Sequence, residues 1–208
     1  VWHHLLDTVL LSYIANSLML MFGVALGTCL LGVSSAWLVA VCQFPGRKTL
    51  SWILLLPMAM PAYIIAYTYT GLLDVSGPIQ NNLRAIFGWS YGDYFFPQIR
   101  SLGGATCMLS LVLYPYVYMT TRASFLTVPV SFFQTSLIYG RSSFFSVALP
   151  LARPGIIAGV ALVLMETISD FGTVEYFALE TLTLGVFNVW LGMNSLSGAS
   201  QISSVLFL

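Results

Sequence analysis

Four stretches of this chain run for membrane-spanning lengths without a charged side chain: Thr8–Gly46, Thr49–Leu73, Ser101–Thr121 and Thr181–Leu208. A helix needs about 20 apolar residues to cross the hydrocarbon core of a bilayer, so the first three runs each hold one span. The backbone inside a bilayer must satisfy its own hydrogen bonds, which leaves only helices or closed barrels. Barrel strands would alternate polar and apolar residues, and these runs do not. Only 7% of the residues are charged, where a soluble domain carries roughly 25%. With a mean hydropathy of +0.89, the chain reads as an all-α polytopic membrane protein.

Spans are expected at about Tyr13 to Val41, Leu50 to Leu72, Leu102 to Thr121 and Gly155 to Val174. A fifth begins near Ala199. The chain starts at Val1 without a methionine and stops at Leu208 inside an apolar run, so we expect a fragment of a longer protein. Residues 1–208 form one transmembrane domain on this reading, with loops over 73–100 and 122–154.

The charges orient these spans. With Arg47 and Lys48 on the cytoplasmic side, alternation puts Arg122, Arg141 and Arg153 there too, leaving Arg84 and Arg100 outside. Asp7, Asp74, Asp93, Glu175 and Glu180 all fall outside. Positive residues are retained in the cytoplasm, so loop 122–154 is expected inside and loop 73–100 outside. The formal net charge is zero, and nothing suggests nucleic acid.

Several residues within the spans admit two readings. Gly23 and Gly27 form a G-x-x-x-G step, which serves packing within the chain or dimerisation. Pro57 and Pro61 should kink or break the second span, since each removes a backbone hydrogen bond. Broken helices at membrane depth face protein or a water-filled path, which makes these prolines candidates for lining a pathway. Glu166 and Asp170, four apart on one expected helix face, are either path residues or a hydrogen-bonded structural pair.

The outer loop holds an amphipathic piece, Pro78 to Phe87, followed by aromatic residues from Trp89 to Phe96. They suit a membrane-surface belt or a docking surface for an external protein. Cys29, Cys42 and Cys107 have no metal-ligand spacing and read as small apolar residues. Tyr63, Tyr67, Tyr114 and Tyr118 read as packed aromatics, and a metal role for His3 and His4 has little support. No metal or cofactor site is expected, and no nucleophile, zinc or phosphate-loop motif is present.

Loop 122–154 is the segment that suggests a partner. It carries Gln134-Thr135-Ser136, then Gly140, then Leu149-Pro150-Leu151-Ala152-Arg153-Pro154. Small residues, a helix-stopping glycine and a Leu-Pro step suggest a short helix displayed for another protein to grip.

That loop resembles the signature of binding-protein-dependent ABC transporter permeases: Glu-Ala-Ala, a glycine, then an apolar-x-Leu-Pro step. Gln134 stands at the acidic first position, and the interval from Gly140 to Leu149-Pro150 is shorter than in the signature. Segments such as Leu54-Leu55-Leu56-Pro57, Tyr114-Pro115-Tyr116-Val117-Tyr118 and Asp170-Phe171-Gly172-Thr173-Val174 resemble the iron(III) permeases most. The resemblance implies a MetI-like ABC importer transmembrane domain in a bacterial inner membrane, about five spans in this fragment. It implies that Gln134, Thr135, Ser136, Gly140, Leu149 and Pro150 couple to a cytoplasmic ATP-binding subunit, which hydrolyses the ATP. A periplasmic iron-binding protein would deliver ferric iron, and a second permease half would complete the channel. Thiamine or phosphonate are alternative cargoes. A secondary transporter would show internal repeats, and none is visible.

Overall fold

A computed structural model describes residues 10–90 and 92–206. Among the described residues the regular structure is helical, without a strand. Helix α1 (Leu10–Ala40) is long and apolar enough to cross a membrane alone, as is a second helix, Leu102–Thr127. Counting each of two bent helix pairs as one span raises the number to four. Along α1, Leu11, Leu18, Phe22, Leu26 and Leu30 form an exposed apolar stripe, with Phe22 71% and Leu30 64% accessible. Water would penalise that stripe, whereas lipid tails or a second protein would accept it.

Chain breaks follow local chemistry. Gly46, at φ +86°, turns the backbone into α2 (Arg47–Ile53). The Arg47 guanidinium folds back to donate to the carbonyls of Val39 and Ala40. A cation there satisfies orphan groups at the C-terminus of α1 and complements its dipole. The expected second span then breaks where the prolines predict. A single 3-10 turn covers Leu56–Ala59, Met60 is extended, and α3 (Ala62–Leu73) starts after Pro61. Extended backbone is what a residue preceding proline prefers.

Helix α4 (Pro78–Phe87) coincides with the expected amphipathic piece and stops at Gly88, φ +67°. The second long helix, α5 (Leu102–Thr127), continues past the expected end at Thr121. Pro129 starts α6 (Val130–Ile138), and Phe144–Ala148 forms a π-helical turn that runs into Leu149–Leu151. A 60° bend leads to α7 (Arg153–Ser169). Beyond it lie α8 (Gly172–Tyr176), α9 (Leu182–Phe187), a π-turn over Asn188–Gly192 and α10 (Leu196–Leu206). The fourth span thus ends at Ser169 rather than Val174, and α10 begins before Ala199.

The chain divides into two compact units, one of residues 10–23, 61–109 and 167–206, the other of 24–60 and 110–166. In the first, Leu10, Leu182, Val189, Ala199 and Ile202 form a buried apolar cluster. Ser17 Oγ accepts from the Leu182 amide at 3.0 Å, and Asn16 Nδ2 donates to the Glu180 carbonyl at 3.1 Å. Gln80 is buried, donating to the Leu73 carbonyl and accepting from Tyr94 OH at 2.7 Å. Arg100 lies 5.2 Å over the Tyr176 ring, and Tyr67 meets the same ring edge-on at 5.7 Å. Phe87 stacks on Trp89 and Trp89 on Tyr94.

In the second unit, glycines bring helices together. A Cβ at Gly32 of α1 would fall 2.7 Å from Val117 Cβ and 3.0 Å from the Tyr114 carbonyl oxygen on α5. A Cβ at Gly159 of α7 would fall 2.8 Å from Val117 Cα. Gly27 faces Ser110 in this unit, and Gly23 faces Thr106 in the other. The G-x-x-x-G step therefore packs within the chain, as small residues do between membrane helices.

Candidate functional site

The loop after α5 is built around a short helix with a defined stop. Gly140 has φ +64°, a conformation that costs other L-residues roughly 1–2 kcal/mol. Its amide donates to the Leu137 carbonyl at 3.0 Å, and the Arg141 amide reaches back to Ser136 at 2.9 Å. These two bonds form a Schellman motif, which satisfies carbonyls that a helix end leaves open. Ser136 is buried, donates to the Phe133 carbonyl, and its Oγ lies 2.6 Å from Ser143 Oγ. The segment after the turn is thus pinned against α6.

An aromatic cluster seats this loop on the long helices. The Trp37 ring on α1 lies 5.8 Å from Phe125 on α5, 6.2 Å from Phe133 on α6 and 5.1 Å from Phe144 in the π-turn. The Phe125 and Phe144 rings meet Trp37 edge-on, and such pairs each contribute about 0.5–1.5 kcal/mol beyond area burial.

The opposite side of α6 is open. A groove of about 560 Å³ is lined by Ser131, Phe132, Thr135, Ser136, Tyr139, Arg141, Ser146 and Val147. Of its lining residues, Tyr139 is 76% and Phe132 51% exposed. A small groove with an apolar rim and one cation can take a protein partner.

The expected coupling residues divide by position. Gln134 and Thr135 are exposed on α6, Ser136 is buried beneath them, and Gly140 ends the helix. Leu149 and Pro150 are half-buried in the turn before α7 and do not line the groove. Ser136 faces Ser143 and also contributes to the groove lining, whereas Gln134 lies outside it. Tyr139 and Arg141, which were not among the expected coupling residues, line the groove as well. The spacing Ser131, Thr135, Tyr139 does place these three on one helix face.

The candidate path residues are spread over both units. Pro57 sits in the 3-10 turn and Glu166 is exposed near the end of α7, both in the second unit. Pro61 caps α3 and Asp170 follows Ser169, both in the first. Glu166 and Asp170 do not share a helix face, because α7 ends between them. Asp170 Oδ2 instead accepts from the Thr173 amide at 3.2 Å, at the start of α8. Gly172 opens this helix.

No group of three metal-ligating side chains occurs among the described residues, and His3 and His4 lie outside them. Tyr118 is buried with its hydroxyl 3.4 Å from the Ser51 carbonyl. Cys29, Cys42 and Cys107 are free thiols.

Residues 28–194 match the family model of the binding-protein-dependent transport system inner membrane component. The molybdenum transport system permease protein ModB of Haemophilus influenzae is 29% identical over 161 residues, covering 74% of this chain and 67% of that protein. The sulfate transport system permease protein CysT of Salmonella typhimurium is 26% identical, covering 84% and 63%. The Fe(3+)-transport system permease protein FbpB 2 of Haemophilus influenzae is 23% identical, covering 93% of this chain but 34% of its own length. These matches do not single out the expected iron permeases, since relatives named for molybdenum and sulfate are more similar. Helical architecture, membrane-length apolar helices and a family match over most of the sequence agree: this chain belongs to the binding-protein-dependent transport system inner membrane components, the permease subunits of bacterial ABC importers.

Proposed function

We propose that this chain forms one half of an importer channel for ferric ion, driven through α6 by a separate ATP-binding subunit. The breadth of the match to the Fe(3+) permease carries the cargo reading. It extends over 93% of this chain, further than the molybdenum and sulfate matches. Coverage of only 34% of that relative supports a partner half, in the same polypeptide or another. A periplasmic iron-binding protein delivers the ion on this reading.

The coupling reading rests on the open groove of α6 and its exposed rim. Residues 122–154 contain three arginines and no carboxylate, which supports a cytoplasmic position. ATP-driven closure of the partner would push on Gln134, Thr135 and the rim. Trp37 would pass that displacement to α1 and α5, because packed aromatic clusters transmit strain rather than absorb it. Gly140 and the Ser136–Ser143 bond keep α6 and the following turn moving as one piece. Pro57, Pro61 and Glu166 remain our candidates for the path, with Asp170 capping α8.

A molybdate- or sulfate-type oxyanion is the second reading, favoured by the higher identity to ModB and CysT. Reconstitution of the complete importer with its own binding protein tests both. ATP-dependent uptake of labelled ferric ion, with no uptake of molybdate or sulfate, is the expected result. Uptake of either oxyanion instead would overturn the iron assignment while leaving the importer role intact.

A further inference from the structure

Helix α2 carries a stripe that changes from polar to apolar along its length. Lys48 and Trp52 are four residues apart, as are Thr49 and Ile53, so each pair shares a face. Leu56 continues the line in the 3-10 turn. Together these residues line a groove of about 450 Å³. Trp52 is 75% exposed, and Ile53 and Leu56 are exposed beside it. Among the described residues, neither the Lys48 ammonium nor the Thr49 hydroxyl has a hydrogen-bond or ion-pair partner. The adjacent Arg47 differs, since its guanidinium is taken up by the carbonyls of Val39 and Ala40.

No carboxylate lies within residues 41–60 or 122–154, so neither segment offers Lys48 an anion. An apolar helix docking in this groove would cover the ammonium and leave it unpaired, at a cost. A molecule with an anionic end and an apolar chain matches both ends. Tryptophan at such a boundary is a membrane-interface residue, and basic pockets beside membrane helices hold anionic headgroups.

We propose that the α2 groove binds one anionic phospholipid, its headgroup phosphate on Lys48 and Thr49 and an acyl chain along Trp52, Ile53 and Leu56. The site needs only a membrane surface at α2, so it does not depend on the cargo or on the coupling reading.

Native mass spectrometry of the intact, detergent-purified permease, titrated with phosphatidylglycerol or phosphatidylcholine of equal chain length, tests it directly. The wild type is expected to retain phosphatidylglycerol preferentially. Lys48→Gln should weaken that binding about fivefold and phosphatidylcholine binding less, because the choline cation offsets that lipid's phosphate charge, while Trp52→Ala should weaken both. Both side chains are exposed, and a thermal melt checks that each variant is folded. Equal retention of the two lipids, or phosphatidylglycerol binding unchanged by Lys48→Gln, would overturn the proposal. So would efficient cross-linking of Trp52→Cys to a second copy or to another permease segment in native membranes. Lipid binding is read without transport, so a failed uptake assay leaves this result standing.

Discussion

The Trp37 and Phe144 rings meet edge-on, 5.1 Å apart at 73°, and so join the first long helix to the turn that follows the loop helix. Trp37 also packs on Phe125 and Phe133, which makes one side chain common to four segments. Trp37 is half-buried, so Trp37→Ala should destabilise the permease by less than the about 3–5 kcal/mol that emptying a fully buried aromatic site costs. A fall in melting temperature together with lost transport checks this. Trp37→Phe should restore most of both.

Gly140 tests the geometry of the loop itself. Gly140→Ala places a Cβ on a left-handed backbone and should cost about 1 kcal/mol. Gly140→Pro is harsher, since proline fixes φ near −65° and removes the amide that donates to Leu137. Insertion into the membrane should survive in both, because the substitution lies outside every span. In Gly140→Pro, ATP hydrolysis should continue while uptake falls. Uptake equal to wild type would count against a coupling role for α6.

Packing of α1 and α7 on α5 depends on the absence of side chains at Gly32 and Gly159. A Cβ at either position meets backbone atoms at 3.0 Å or closer, and backbone cannot rotate away. Gly159→Leu and Gly32→Leu should each cost about 1–3 kcal/mol through overpacking, visible as lower yield and melting temperature. Gly71→Leu, where a Cβ meets nothing within 4 Å, should be mild by comparison.

Asp170 separates a structural carboxylate from a transport one. Its oxygen accepts from the Thr173 amide, and asparagine can make the same bond. Asp170→Asn should therefore keep near-normal stability and uptake, while Asp170→Ala loses the cap and about 1 kcal/mol. Abolished uptake in the asparagine variant, with stability intact, would return Asp170 to the path.

Much of this was legible in the residues. Uncharged runs mark α1 and α5, Pro57 and Pro61 mark the break between α2 and α3, and Pro78 with Gly88 brackets α4. Gly140 was readable as a helix stop because only a residue without Cβ adopts its conformation cheaply. What escaped was tertiary. Nothing local shows that Ser136 turns inward to Ser143, or that Trp37 would gather Phe125, Phe133 and Phe144 from distant segments. The apolar run through residues 155–174 hid the end of α7 at Ser169, because Asp170 and Gly172 are readable equally as helix interior or as a new start. The cargo escaped as well, because relatives named for molybdenum, sulfate and Fe(3+) share this family's scaffold.

Coupling through this loop requires α6 to be the surface that meets the ATP-binding subunit. A photo-cross-linking side chain placed at Thr135 in the complete importer, in native membranes, measures this directly. We predict a cross-link to the ATP-binding subunit whose yield changes when ATP is added, and none from the same probe at Trp89. No cross-link from position 135 in an importer that still takes up cargo with ATP would contradict the account.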